Sequence, residues 1–163
     1  MEFRKMRRFK QELSREECFD ILKAEKRGVL AVIGDGGYPY AVTVNYFLDE
    51  ESGRIYFHSA KEGHKRDALN ADDKACFTVC EQGEQREDWS YHTRSVVVFG
   101  RVRTVSDRAE AVSLVRRLAY KYYPTETEAD RSSIEADIEK NSPRMDMLEL
   151  IPEHITGKRV HEK

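Results

Sequence analysis

Chemistry is concentrated in His58-Ser59-Ala60-Lys61-Glu62-Gly63-His64-Lys65, which brings a hydroxyl, a glycine, ammonium groups and two imidazoles into one short stretch. The run before it, Arg54-Ile55-Tyr56-Phe57, reads as a strand, and Arg66-Asp67-Ala68-Leu69-Asn70-Ala71 after it has the spacing of a short helix. A strand-to-helix turn exposes the unpaired N–H groups of a helix start, and these attract negative charge. Ser59 adds a donor and Lys65 a cation, so the segment suits an anion, above all a phosphate. The bland alternative is a polar loop that only caps a helix. His58 and His64 stand six apart across a turn and have no obvious carboxylate partner, so no metal site is expected.

The elements around this segment follow from hydrophobic periodicity. Ser14-Arg15-Glu16-Glu17 has the form of a capping box, and Cys18, Ile21 and Leu22 give an apolar stripe, which predicts a helix over 14–25. Gly28–Ile33 reads as a β-branched strand. Gly34-Asp35-Gly36-Gly37 is a tight turn, and a second strand is expected from Tyr38 to Leu48. A glycine cluster followed by a strand is a hairpin turn; a dinucleotide loop would demand a helix there. Asp49–Gly53 turns the chain into the strand ending at His58, and Ala75–Cys80 is another strand.

Residues 82–93 are polar and irregular, with Trp89, Tyr91 and His92 as a loop that covers a site or packs on a subunit boundary. A long strand runs from Ser95 to Val105 with a bend at Gly100. Asp107 and Glu110 have capping-box spacing before a helix that ends near Pro124, where Tyr120, Tyr122 and Tyr123 read as packing on the body of the fold. The charged run 126–140 holds Ile134 and Ile138 and reads as a weak surface helix or lid. Residues 145–151 and 154–160 read as closing strands around Pro152. About six strands with short turns and few helices predict an α+β fold, a small antiparallel barrel with helices outside it, in one domain spanning 1–163.

Composition narrows the function classes. Lys plus Arg number 28 against 30 acidic residues, and a net charge of −2 gives no general drive toward nucleic acid. The basic stretch Arg4–Lys10 is local and reads as a solvated or subunit-contacting arm. No run is long enough to span a bilayer and no apolar signal-peptide core opens the chain, so no membrane association is expected. Cys18, Cys76 and Cys80 lack zinc-type spacing and suit a reducing cytoplasm. No Ser-His-Asp grouping or nucleophilic cysteine emerges, which fits chemistry carried by a cofactor.

The order of motifs resembles the pyridoxamine 5′-phosphate oxidase-like family of FMN-binding split barrels, and within it the nitroimidazole-resistance-protein group. The residues that carry the likeness are the Gly28 strand, Gly37-Tyr38-Pro39-Tyr40-Ala41-Val42-Thr43-Val44-Asn45-Tyr46, the 58–65 segment, Arg94-Ser95-Val96-Val97-Val98-Phe99-Gly100-Arg101-Val102 and Ile155-Thr156-Gly157-Lys158. The resemblance implies a six-stranded antiparallel split β-barrel with flanking helices, assembled as a homodimer with FMN in clefts between subunits. It implies that backbone groups of Thr43, Val44 and Asn45 meet the isoalloxazine edge. His58, Ser59, Ala60, His64 and Lys65 would hold the phosphate and ribityl chain, and Ser95 would approach the flavin across or beside the cleft. Val42, Val44 and the 96–99 run are the expected apolar wall. The implied activity is FMN-dependent reduction of small organic acceptors such as nitroaromatics. The alternatives are a non-catalytic flavin-binding or haem-handling protein, or a pyridoxamine 5′-phosphate oxidase, for which Lys158 and Arg159 are the available basic residues.

Overall fold

The computed structural model describes residues 2–162; Met1 and Lys163, the ends of the expected 1–163 domain, lie outside the described residues. In chain order the elements are α1 (Arg15–Ala24), β1 (Arg27–Ile33), β2 (Pro39–Asn45), β3 (Phe47–Leu48), β4 (Ile55–Ala60) and α2 (His64–Ala71). They continue with β5 (Lys74–Cys80), β6 (Glu84–Gln85), β7 (Tyr91–Thr104), α3 (Arg108–Tyr122), α4 (Glu128–Asn141) and β8 (Met145–Glu162). All strands join one antiparallel sheet in the order β2-β1-β5-β7-β8-β4-β3, with β6 added to β7.

Alternation along the strands makes the core. Leu30 and Val32, Phe77 and Val79, Val96 and Val98, Ile55 and Phe57, and Leu148 and Leu150 all face the inside of the curled sheet and are almost fully buried. Each such side chain contributes roughly 1.5–3 kcal/mol by leaving water. Helix α1 closes this core with Cys18, Ile21 and Leu22. Its start is a true capping box: the Glu17 N–H donates to Ser14 Oγ (3.1 Å) and the Ser14 N–H donates to the Glu17 carboxylate (2.9 Å). A second cluster lies outside the β3–β4–β8 edge, where Phe47, Tyr56 and Met147 pack under Ala111, Leu114 and Leu118 of α3.

The split-barrel expectation holds, with eight strands in place of about six. The run 38–48 is two strands because the chain crosses at Tyr46 from one edge of the sheet to the other, so β2 and β3 sit at opposite ends of the strand order. That single residue closes the barrel. Its backbone, outside any ladder, is held by α3: the Tyr46 N–H donates to the Tyr122 hydroxyl (2.8 Å), and that hydroxyl faces the carbonyls of Tyr46 (2.8 Å) and Lys26. The two closing strands are one, β8. Pro152, which lacks an N–H, falls at a bulge where Phe99 pairs with His154 and Gly100 with Pro152, leaving Glu153 as the extra residue. Strand β7 starts at Tyr91, four residues earlier than expected, and the segment read as irregular contributes β6. The 126–140 run is a capped helix anchored by buried Ile134 and Ile138 and by the bidentate Arg116–Glu135 pair (2.5 and 2.7 Å). Among the described residues no helix is long and apolar enough to cross a membrane.

Candidate functional site

Strand β4 delivers the 58–65 segment to the open end of the barrel. Gly63 makes the turn with φ +111°, a conformation that side chains with a Cβ rarely adopt, and a Cβ placed there would touch nothing within 4 Å. The approach to the start of α2 is therefore open. The first-turn N–H groups of His64 and Lys65 find no protein acceptor among the described residues, whereas the next two, on Arg66 and Asp67, donate to the Gly63 carbonyl (2.7 and 3.1 Å).

Two cations follow Gly63, His64 intervening, with opposite environments. Arg66 is tied down: it lies 3.2 Å from the Asp146 carboxylate and donates to Thr104 Oγ1 (3.1 Å), which pins α2 to β8 and β7. Lys65 is half-buried, with its ammonium 5.9 Å from the Phe57 ring centroid, and no carboxylate pairs with it among the described residues. Burial, and then the charge of Arg66, push the Lys65 pKa below the ordinary lysine value. A half-buried ammonium without a counter-ion beside unpaired helix N–H groups is a receptor for an anion. His64 leans the other way. Its ring stacks on Tyr40 (4.0 Å between centroids), and its Nε2 accepts from the Asp35 N–H (3.4 Å) and sits 3.7 Å from the Asp35 carboxylate. It braces α2 against the β1–β2 turn.

The other predicted residues divide by strand face. Ser59 is buried and its hydroxyl donates to the Ala60 carbonyl (2.9 Å), so it shares the inner face with Ile55 and Phe57, while Ala60 is exposed at the strand end. Val44 points into the core, and Val42 packs against it, so neither offers an outer apolar wall; Val96 and Val98 are likewise core residues. Thr43 is exposed on the outer face. Because β2 is an edge strand, one row of its backbone N–H and C=O groups has no strand partner and is free to read the rim of a planar heterocycle. Ser95 lies away from the 58–65 segment along β8, though in the same cross-strand row as Asn45, three strands over. It pairs with Lys158, whereas Ser59 pairs with Asp146 at the other end of β8, about 40 Å of extended strand away.

Asn45 and His58 do meet. They line a cavity of about 150 Å³ whose remaining walls come from α3, α4 and Met145. Burial, and secondarily the nearby Lys65 charge, hold the His58 imidazole below its ordinary pKa, so it is neutral at pH 7. The α3 and α4 contributions, among them Leu118, Tyr122, Asp137 and Asn141, were not among the residues the sequence singled out for the site. The signal was present as helical spacing, Leu118 with Tyr122 and Asp137 with Asn141, each four apart and on one face.

The comparisons with known proteins agree with this architecture. Residues 14–159 match the family model described as pyridoxamine 5′-phosphate oxidase. The fold is similar to that of a candidate 5-nitroimidazole antibiotic resistance protein from Bacteroides thetaiotaomicron, with 17% identity, 93% of this chain and 87% of that one covered, and a TM-score of 0.75. It is similar to a flavocytochrome from Azotobacter vinelandii (21% identity, 94% and 71% covered, TM-score 0.73). It is also similar to an FAD-binding protein from Mesorhizobium loti (24% identity, 92% and 97% covered, TM-score 0.65). At these identities the likeness is one of fold. No curated protein matches the sequence.

Proposed function

The chain belongs to the pyridoxamine 5′-phosphate oxidase family, and on that premise we propose that it is an FMN-binding oxidoreductase acting on small organic acceptors such as nitroaromatics. The observation that carries the flavin reading is Lys65, a half-buried ammonium with no partner among the described residues, set at the open start of α2. A flavin phosphate supplies the missing counter-charge. The backbone row of β2 from Thr43 to Asn45 meets the donors and acceptors of the isoalloxazine rim, and neutral His58 stands between these two regions. When bound, the flavin supplies the electron or hydride transfer. The chain binds and orients it, and no side chain is assigned a covalent step.

The test is Lys65→Ala. Its affinity for FMN is expected to fall by about 1–3 kcal/mol, the range of a charge-assisted hydrogen bond, while riboflavin, which has no phosphate, keeps its affinity. FAD titrated in parallel separates a mononucleotide site from a dinucleotide one. Equal loss of FMN and riboflavin would move the phosphate away from 58–65. Turnover of a nitroaromatic with reduced nicotinamide by the loaded protein tests the oxidoreductase assignment. The three cysteines are free thiols, in keeping with a cytoplasmic setting.

The functional unit we propose is a homodimer. The outer face of β2-β1-β5-β7 carries Ala31, Cys76 and Val97 with the more exposed Ile33 (48%) and Phe99 (39%), an apolar surface that one chain leaves partly open. Ser95 alternates onto the same face as Val97 and Phe99, so a second copy on this face would cover it. Light scattering of the FMN-loaded protein is expected to give twice the chain mass of 19.0 kDa. A monomer at micromolar concentration would overturn the shared cleft.

A further inference from the structure

The outer face of the sheet is graded by side-chain size. One row crosses five strands as Ala41, Ala31, Cys76, Phe99 and His154, each residue paired with the next. The β2–β1 half of the row is small, the β7–β8 half is aromatic, and Cys76 of β5 stands between them. Phe3, from the arm that precedes α1, enlarges the aromatic half. Its ring stacks on His154 (4.6 Å between centroids) and on Phe99 (5.7 Å). Phe99 is still 39% exposed beneath it. Beside this ridge runs an open groove lined by Phe3, Ala31, Ile33, Pro39, Cys76 and Phe99, and bordered by Lys74, Arg101 and Glu153. An apolar floor inside a charged border is the anatomy of a protein–protein interface.

A two-fold pair sets one patch against itself, so the patch must complement its own reversal. An axis running along β5 reverses this row end for end. Phe99 and His154 of one copy then meet Ala31 and Ala41 of the other, ring against methyl. The adjacent row, Thr43, Val29, Thr78, Val97 and Thr156, is β-branched throughout and meets its own reversal flush. An axis along β1 would instead carry the aromatic half past the β2 edge. We propose that two copies meet about an axis along β5, with Phe3 of each seated as a knob in the Ala31–Ala41 trough of the other, so that the arm before α1 gates assembly. The inference rests on the homodimer reading and adds its register and its control. Among the described residues no backbone hydrogen bond ties residues 2–5 to the barrel, so the half-buried Phe3 ring is what holds this end of the arm down. A ring held by stacking alone can lift away, and lifting it removes the knob without disturbing the barrel.

The test is light scattering over a dilution series, with circular dichroism confirming that each variant folds. Phe3→Ala is expected to weaken the dimer at least about thirtyfold, because each dimer loses two buried aromatic anchors. Ala31→Glu and Phe99→Lys, both on the outer face, should each prevent dimerisation alone. Mixed in equal amounts they should pair as a heterodimer, since the axis sets position 31 of one chain against position 99 of the other. A Phe3→Ala dimer as tight as wild type overturns the knob. Dimers of either charged variant alone, or no pairing in the mixture, overturn the register. Each of these results leaves a homodimer of another geometry standing, whereas a monomeric wild type overturns both readings.

Discussion

Tyr122→Phe is expected to destabilise the protein by about 2–4 kcal/mol, a large effect for one oxygen atom. The hydroxyl receives the Tyr46 N–H at 2.8 Å and reaches the carbonyls of Tyr46 and Lys26, with its one proton serving one of them. Tyr46 is fully buried, so no water replaces the lost acceptor. Leaving a buried N–H unsatisfied costs about 1–3 kcal/mol, and the lost donor to a carbonyl adds about 1 kcal/mol. Urea denaturation should show the loss as a lower midpoint at unchanged slope. Tyr46→Phe supplies the opposite control. Its own hydroxyl is buried without a partner among the described residues, so removing it should be neutral or stabilising. If the two tyrosine variants lost equal stability, the hydroxyl clamp would not be what closes the barrel.

Gly100→Ala should be worse than its single methyl suggests. A Cβ at this position would stand 2.3 Å from the Ile151 carbonyl oxygen and 3.0 Å from its carbon, and backbone on the facing strand cannot swing aside as a side chain can. Relief requires opening the β7–β8 ladder beside its bulge. The expected cost is about 3 kcal/mol or more, at the upper end for overpacking. For a chain of this length each kcal/mol lowers Tm by roughly 2–4 °C, so a fall of at least about 6 °C is expected by calorimetry. A Tm within about 2 °C of wild type would mean that β7 and β8 are not in this register.

Much of the fold was legible because the barrel is built from local patterns. Gly28–Ile33, Ala75–Cys80 and the Val96–Val98 stretch alternate faces, and Ser14 with Glu17 marks the first helix start without reference to anything distant. The break at Tyr46 was not legible, because Tyr38–Leu48 reads as one uninterrupted strand. What divides it is a hydroxyl from a helix 76 residues later. Pro152 misled for a related reason: the missing N–H falls at a bulge in β8 that shows only in its pairing with β7. In the site, the strand–Gly63–helix pattern located the anion end. Period-two alternation already set Ser59 on the core side with Phe57, although its hydroxyl had been assigned to a ligand. Asn45 and His58 were expected near a flavin, but the cavity they share has walls from α3 and α4, which reach the barrel only through tertiary packing.

The place of β8 has a consequence for how the protein is made. In chain order it follows the other strands described here, yet it lies inside the sheet between β7 and β4. Until residues 145–162 emerge, the nascent chain can pair β1 with β2 and β5 with β7, while β3 and β4 remain a separate hairpin with nothing to join. Both waiting edges expose unpaired backbone, and β4 is rich in apolar side chains. The barrel therefore closes only once β8 is available, in one long-range step that joins Ile55 to Leu150 and Ala60 to Met145. Aggregation competes with folding for as long as β8 is missing from the sheet.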